Sequence, residues 1–171
     1  MFALKNIKKA GRKSILFMTV LWMLVIFVFS AQPADESTET SLFIGQIVES
    51  VCVPGYVDLS EEERLIMAEN IDFFVRKTAH AAEYAVLGML LSLSAGEISE
   101  LPFFERQRAA YIFGTLYAAT DEFHQLFVPG RAGMIRDVVL DSAGVMAGVL
   151  SVYVFKKITE KNFCRKRLSV A

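Results

Sequence analysis

Apolar residues in this chain fall in long unbroken runs, not in the stripes of a soluble amphipathic helix, and that pattern predicts membrane-spanning helices. The first run, 15–31 (ILFMTVLWMLVIFVFSA), has no charge. At 1.5 Å per residue it sits at the lower limit of what crosses a hydrocarbon layer of about 30 Å. The second run, 73–95, is polar in its first half and apolar in its second; the third, 109–127, reverses that order, and the fourth, 138–155, restores it. Successive spans cross in opposite directions, so the alternation delivers three polar ends to one side. The expected fold is all-α: an integral membrane four-helix bundle, one domain over residues 1–171, with a partly helical outer segment, 32–72, between the first two spans.

The outer segment opens on Gln32-Pro33, passes through an Asp/Glu/Ser/Thr-rich stretch read as a turn, and turns apolar-periodic from Leu42 to Val51 before Pro54-Gly55. Ser60-Glu61-Glu62-Glu63 has the form of a helix start, an N-cap serine with a glutamate three residues on, and the helix should run from there into the second span. Phe127-Val128-Pro129-Gly130-Arg131 should close the third span and turn the chain back. There is no internal repeat.

A net charge of -1 hides an asymmetry. Five basic residues (Lys5, Lys8, Lys9, Arg12, Lys13) and no acid precede the first run, whereas 32–75 holds ten acids and one arginine. Six more basic residues (Lys156, Lys157, Lys161, Arg165, Lys166, Arg167) follow the fourth run. Basic flanks stay on the cytoplasmic side, so both termini are expected inside and the polar cluster outside. The loop between spans two and three says little, because Glu97, Glu100 and Glu105 balance Arg106 and Arg108. A signal peptide ending near Phe29-Ser30-Ala31-Gln32 is the competing reading of the first run. The length of the run, with aromatic and branched residues up to its end and further spans behind it, favours a retained helix. Basic tails flanking apolar spans, with no recognition module, exclude nucleic acid as a partner. Cys52 and Cys164 fall on opposite sides of the membrane in this topology, and no CxxC pair exists.

Ionisable groups at membrane depth cost roughly 2.5 to 3.5 kcal/mol each on insertion scales unless they are paired, so their concentration marks a candidate site. On the second span, Arg76, His80, Glu83, Tyr84 and Leu87 recur at three- and four-residue spacing and share a face, with Lys77 beside them. Imidazole titrates near neutral pH and guanidinium grips phosphate or carboxylate, which suits proton transfer or anion binding. A buried polar network that only fixes helix packing is the plainer alternative. On the third span, Asp121 shares a face with Gln125, and Glu122 diverges from it by about 100°. His124 reads equally as a headgroup-level surface group or a ligand. Arg131, Arg136, Asp137 and Asp141 lead into the fourth span, where Gly144 and Gly148 continue the carboxylate face at the spacing of close helix packing.

Phe29-Ser30-Ala31-Gln32-Pro33, Arg76-Lys77-x-x-His80-x-x-Glu83-Tyr84-x-x-Leu87-Gly88, Asp121-Glu122-x-x-Gln125-x-Phe127-x-Pro129-x-Arg131 and Asp137-x-x-x-Asp141-x-x-Gly144, in this order and spacing, resemble the VanZ-like membrane proteins. The resemblance runs from about Trp22 to Val149. Asp141 departs from the asparagine often found there. The resemblance implies a bacterial, multi-pass protein of the cell membrane, in a family whose name-giving member is linked to resistance to the glycopeptide teicoplanin. It supplies no mechanism.

From the residues, the expected function is an outward-facing pocket that binds, and processes if it is an enzyme, an anionic envelope lipid or cell-wall precursor. Arg76, Lys77, Arg131 and Arg136 would hold the anion, and Tyr84 and Gln125 would line the site. His80 with Glu83 would move a proton, and Asp121, Glu122, Asp137 and Asp141 would orient the bases or meet a cation. Two histidines are too sparse to specify zinc, and the residues name no cofactor. The rival is a structural network in a protein that acts through a partner. Membrane lipid is an expected contact, and homo-oligomerisation stays open. Transport ranks last, since 85–93 and 112–116 carry almost no polar group.

Overall fold

The computed structural model describes the backbone of residues 2–168 and the side chains of residues 14–162. The basic residues Lys5, Lys8, Lys9, Arg12 and Lys13, with Cys164, Arg165, Lys166 and Arg167, lie outside the described side chains. Among the described residues the chain is all-helical without strands: α1 (Phe2–Ser30), α2 (Ala34–Cys52), a 3-10 turn (Tyr56–Asp58), α3 (Glu61–Ile98), α4 (Phe103–Gln125) and α5 (Ile135–Leu168).

Each junction has a local cause. Ser60 caps α3: Glu63 N–H donates to the serine hydroxyl while the Glu63 carboxylate accepts from Ser60 N–H, the reciprocal box its sequence announced. Pro33 precedes α2, and the Ala34 N–H donates to Pro129 O at 3.1 Å, which ties the α1–α2 corner to the α4–α5 loop. The acid-rich stretch read as a turn is in fact the first two turns of α2. Asp35 and Glu36 favour it by sitting at the positive end of the helix dipole, and Ser41 secures it by bonding Asp72 of α3. The outer segment is therefore more helical than expected, and the helices number five.

Helix α3 is the hub and packs on α1, α2, α4 and α5. Its 38 residues amount to about 57 Å of helix, nearly twice a bilayer's hydrocarbon thickness and so longer than a crossing requires. The closest packing is with α5. A Cβ on Gly148 would lie 1.9 Å from Ala85 O, one on Gly144 2.3 Å from Ala81 O, and one on Gly88 2.3 Å from Val145 O. Only hydrogen in place of these methyl groups lets the two backbones touch.

The interior is small and polar. Ile26, Tyr84, Leu87, Ala110, Ala118, Val145 and Val149 form the apolar core, yet fourteen buried polar or charged residues outnumber ten buried apolar ones among those described. Large apolar side chains such as Phe17, Leu24, Val28, Ile112, Leu116, Leu150 and Phe155 point outward. That inverted distribution suits a molecule solvated by hydrocarbon. Helices α3 and α5 are each long and apolar enough to cross a membrane, and the pair 14–30 plus 34–52, bent by 106°, passes the same test jointly. There are thus two or three candidate spans. Helix α4 is not among them, because Glu105, Arg106 and Arg108 at its start and Asp121 and Glu122 at its end lower its hydropathy.

Candidate functional site

The ionisable ends of α3, α4 and α5 do converge, and the α4–α5 loop closes over them. Gly130 takes φ of 72°, a left-handed conformation that glycine adopts freely, and the turn it completes places Arg131 against the end of α1. Arg131 Nε donates to Gln32 O at 3.1 Å and Nη2 to Phe29 O at 3.5 Å, carbonyls at the negative end of the α1 dipole. Among the described residues no carboxylate lies within ion-pairing distance of Arg131. Burial, and next the nearby Arg76 charge, push the Arg131 guanidinium below its ordinary pKa. An approaching anion would relieve both effects.

The other cations are held by partners. Arg76 pairs with Asp72 at 2.6 Å, one turn back on α3, and donates to Thr38 of α2 at 3.0 Å. Lys77 pairs with Asp137. Arg136 reaches Asp137 only at 3.9 Å and lies over the Phe73 ring. All four cations line one cavity of about 770 Å³, counted to its open mouth, with His80, Glu122, Gln125, Asp137 and Asp141 also in its wall. A second cavity of about 640 Å³ lies between the α1–α2 corner and α3, with Glu83 in its wall. Arg76, His80 and Arg131 belong to both walls.

Ten of the twelve expected residues therefore face one cavity or the other. Tyr84 and Asp121 do not: they are 0% and 4% exposed and stand behind the site. Neither Asp121 oxygen nor the Tyr84 hydroxyl makes a hydrogen bond of good geometry, but the two groups stand close to each other, with Ser30 and Gln125 also beside Asp121. The divergence of the two α4 carboxylates is observed. Asp121 turns into the bundle, while Glu122 accepts the Met134 N–H at 2.9 Å and so holds the residue that leads into α5. Gly133 allows this, since a Cβ there would lie 2.1 Å from Glu122 O. Gln125 donates to Ser30 of α1 at 2.9 Å. His80 Nδ1 and Glu83 Oε2 stand 3.7 Å apart, beyond hydrogen-bond reach. His124 stacks near Phe27, centroids 4.7 Å apart, and lines neither cavity. Among the described residues no three His, Cys, Asp or Glu side chains converge to hold a metal ion.

The VanZ/LLP1 family model matches residues 15–156. The chain belongs to this family. No curated protein and no solved structure matches it. The stretch shared with VanZ/LLP1 proteins contains both cavities and all twelve expected site residues. With two or three apolar helices, membership marks a membrane protein.

Two features of the site were not anticipated. Asp72, set upstream of the cluster, is the partner of Arg76; its i, i+4 spacing was the available signal. The second cavity had none, because Phe29, Ile44, Val75 and Ala79 come from three helices and look like ordinary lipid-facing residues.

Proposed function

We propose that this VanZ/LLP1 protein binds an anionic group of an envelope lipid or cell-wall precursor in an outward-facing pocket and acts in glycopeptide resistance. In this reading α1, α3, α4 and α5 each cross the cell membrane, both termini are cytoplasmic, and α2 with the start of α3 lies outside. Helix α4 qualifies as a span because Gln107, Asp121, Glu122 and Gln125 are buried against other helices while Ile112, Phe113 and Leu116 face out.

One observation carries the proposal: four cationic side chains line one cavity, and one of the two that also line the second, Arg131, has no carboxylate within ion-pairing distance among the described residues. Binding is better supported than processing, since the His80 and Glu83 side chains, 3.7 Å apart, share no hydrogen bond. A second reading, in which the network is structural and the protein acts through a partner, draws on the bonds Glu122–Met134, Gln125–Ser30 and Lys77–Asp137. The two separate by experiment. Arg76→Ala, His80→Ala and Arg131→Ala should each abolish teicoplanin resistance in cells expressing the protein, whereas Glu105→Gln should not. Removing a partner from a buried charge destabilises by about 3 to 5 kcal/mol, so protein level is measured alongside. Full resistance in the first three variants at normal protein level sinks the pocket and leaves the structural reading.

A further inference from the structure

The two cavities differ in kind. The first is walled mainly by charged groups from α3, α4, α5 and the α4–α5 loop; the second is walled by Phe29, Ile44, Val75 and Ala79 together with short hydroxyl side chains of α2, with Gln32 and Glu83 at its polar side. They meet at Arg76, His80 and Arg131. A ligand that fills both must be anionic where it touches the two arginines and apolar beyond them.

Helix α2 shows where the apolar side leads. Its buried positions, Ser41, Gly45 and Glu49, step by four along the face against α3, where Gly45 sits beside Ala68. Beyond its acidic first turns the outward side carries Phe43, Ile44, Ile47, Val48 and Val51, all 40% or more exposed. This part of the helix is small and polar toward the protein and mainly apolar outward, as Phe27, Val28 and Phe29 are outward on α1. Hydrocarbon is the medium that suits such surfaces. Phe29 and Ile44 belong at once to these surfaces and to the second cavity, so the cavity mouth opens beside exposed apolar side chains.

Charge disfavours the other route. The stretch 32–75 holds ten acids and one arginine, and Asp35, Glu36 and Glu39 stand exposed on the first turns of α2. A dissolved anion coming from the aqueous side meets that field before it meets Arg131. An anion with a hydrocarbon tail meets it too, but burial of the tail among Phe29, Ile44, Val75 and Ala79 offsets the cost.

We infer that the ligand is a membrane-resident anionic lipid, its charged head on Arg76 and Arg131 and an acyl chain in the second cavity, reached sideways from the outer leaflet between α2 and α3. The inference rests on the anion-binding reading above and adds the tail and the route. Ala79, exposed on α3 and facing the cavity, is the position at which to fill it.

The test is a native mass spectrometry titration of the full chain in mild detergent. The probes are dioleoyl phosphatidylglycerol, dioleoyl phosphatidylcholine and glycerol 3-phosphate. Phosphatidylglycerol should bind at least tenfold more tightly than either other probe. Ala79→Trp should weaken it at least tenfold without changing glycerol 3-phosphate binding, Ala79→Ser should match wild type, and Arg131→Ala should weaken both anionic probes. Glycerol 3-phosphate binding as tightly as the lipid, or Ala79→Trp leaving the lipid unaffected, overturns the tail site while the anion site stands. Loss on Ala79→Ser equal to that on Ala79→Trp overturns it too, because the cavity is then not what was filled. Binding of all probes that ignores Arg131→Ala removes the anion site itself.

Discussion

At the scale of single residues, the distinction that matters is between polar groups that spend their bonds holding the fold and groups that do not. Glu122 is committed to the Met134 N–H, Gln125 to Ser30, and Lys77 to Asp137. Asp121, 4% exposed, has no hydrogen bond of good geometry, though the Ser30, Tyr84 and Gln125 side chains stand nearby. A buried carboxylate so weakly held is a burden on folding, and proteins keep such groups where they serve a function. Asp121→Asn should therefore lower teicoplanin resistance at least tenfold without lowering the thermal midpoint of the purified protein in detergent. If the midpoint drops by several degrees instead, Asp121 is part of the scaffold and the structural reading gains it. The types and the clustering of these residues were legible in the sequence, since ionisable groups in apolar runs are costly wherever they point. Their partners were not. Arg131 bonds carbonyls about a hundred positions earlier in the chain, and a carbonyl carries no side-chain signature that a sequence pattern could reveal.

Among the elements, the local rules worked where the backbone obeys local chemistry. The Ser60–Glu63 box, the turn at Pro129-Gly130 and the uninterrupted run of α3 into its apolar half all follow from short-range preferences. The start of α2 did not, because Asp, Glu, Ser and Thr in a row favour a turn in isolation, and here contact with α3 decides for helix. The glycines of α5 were legible as a packing signal by spacing alone, and the structure shows what they permit. With an added Cβ 1.9 Å from a backbone carbonyl and 2.8 Å from the Met89 nitrogen, Gly148 has no flexible side chain opposite it to give way. Gly148→Ala should cost about 1 to 3 kcal/mol as overpacking forces α3 and α5 apart. Gly96, also helical, has nothing within 4 Å of the same added atom, and Gly96→Ala should be neutral or gain up to about 1 kcal/mol from helix propensity. Thermal unfolding of both variants in one detergent makes the comparison; equal midpoints would mean that the α3–α5 contact is not as close as drawn.

For the whole molecule, what remains to be measured is which side of the membrane each part occupies, and the chain contains its own probes. It has two cysteines, Cys52 and Cys164. Cys52 is the last residue of α2, exposed and not in a disulfide. Cys164 belongs to the basic C-terminal stretch that charge asymmetry assigns to the cytoplasm. If α2 lies outside and both termini inside, a membrane-impermeant maleimide added to intact cells should label the Cys164→Ser variant, through Cys52, and leave the Cys52→Ser variant unlabelled until the membrane is permeabilised. An even number of crossings separates the termini in this reading, and three would give an odd one, so the experiment tests α4 as a span once α1, α3 and α5 are taken to cross. Helix α4 was excluded on hydropathy, yet Asp121 and Glu122 are buried against its neighbours and Arg108 pairs with Glu105 near its start, while Ile112, Phe113 and Leu116 face out, the arrangement expected of a span whose polar cost is met at its ends and inside the bundle. Labelling of the Cys52→Ser variant in intact cells would put the C-terminus outside. One of the four proposed crossings, α4 first among them, would then fail, and an outward-facing anion pocket would no longer follow from the order of the helices.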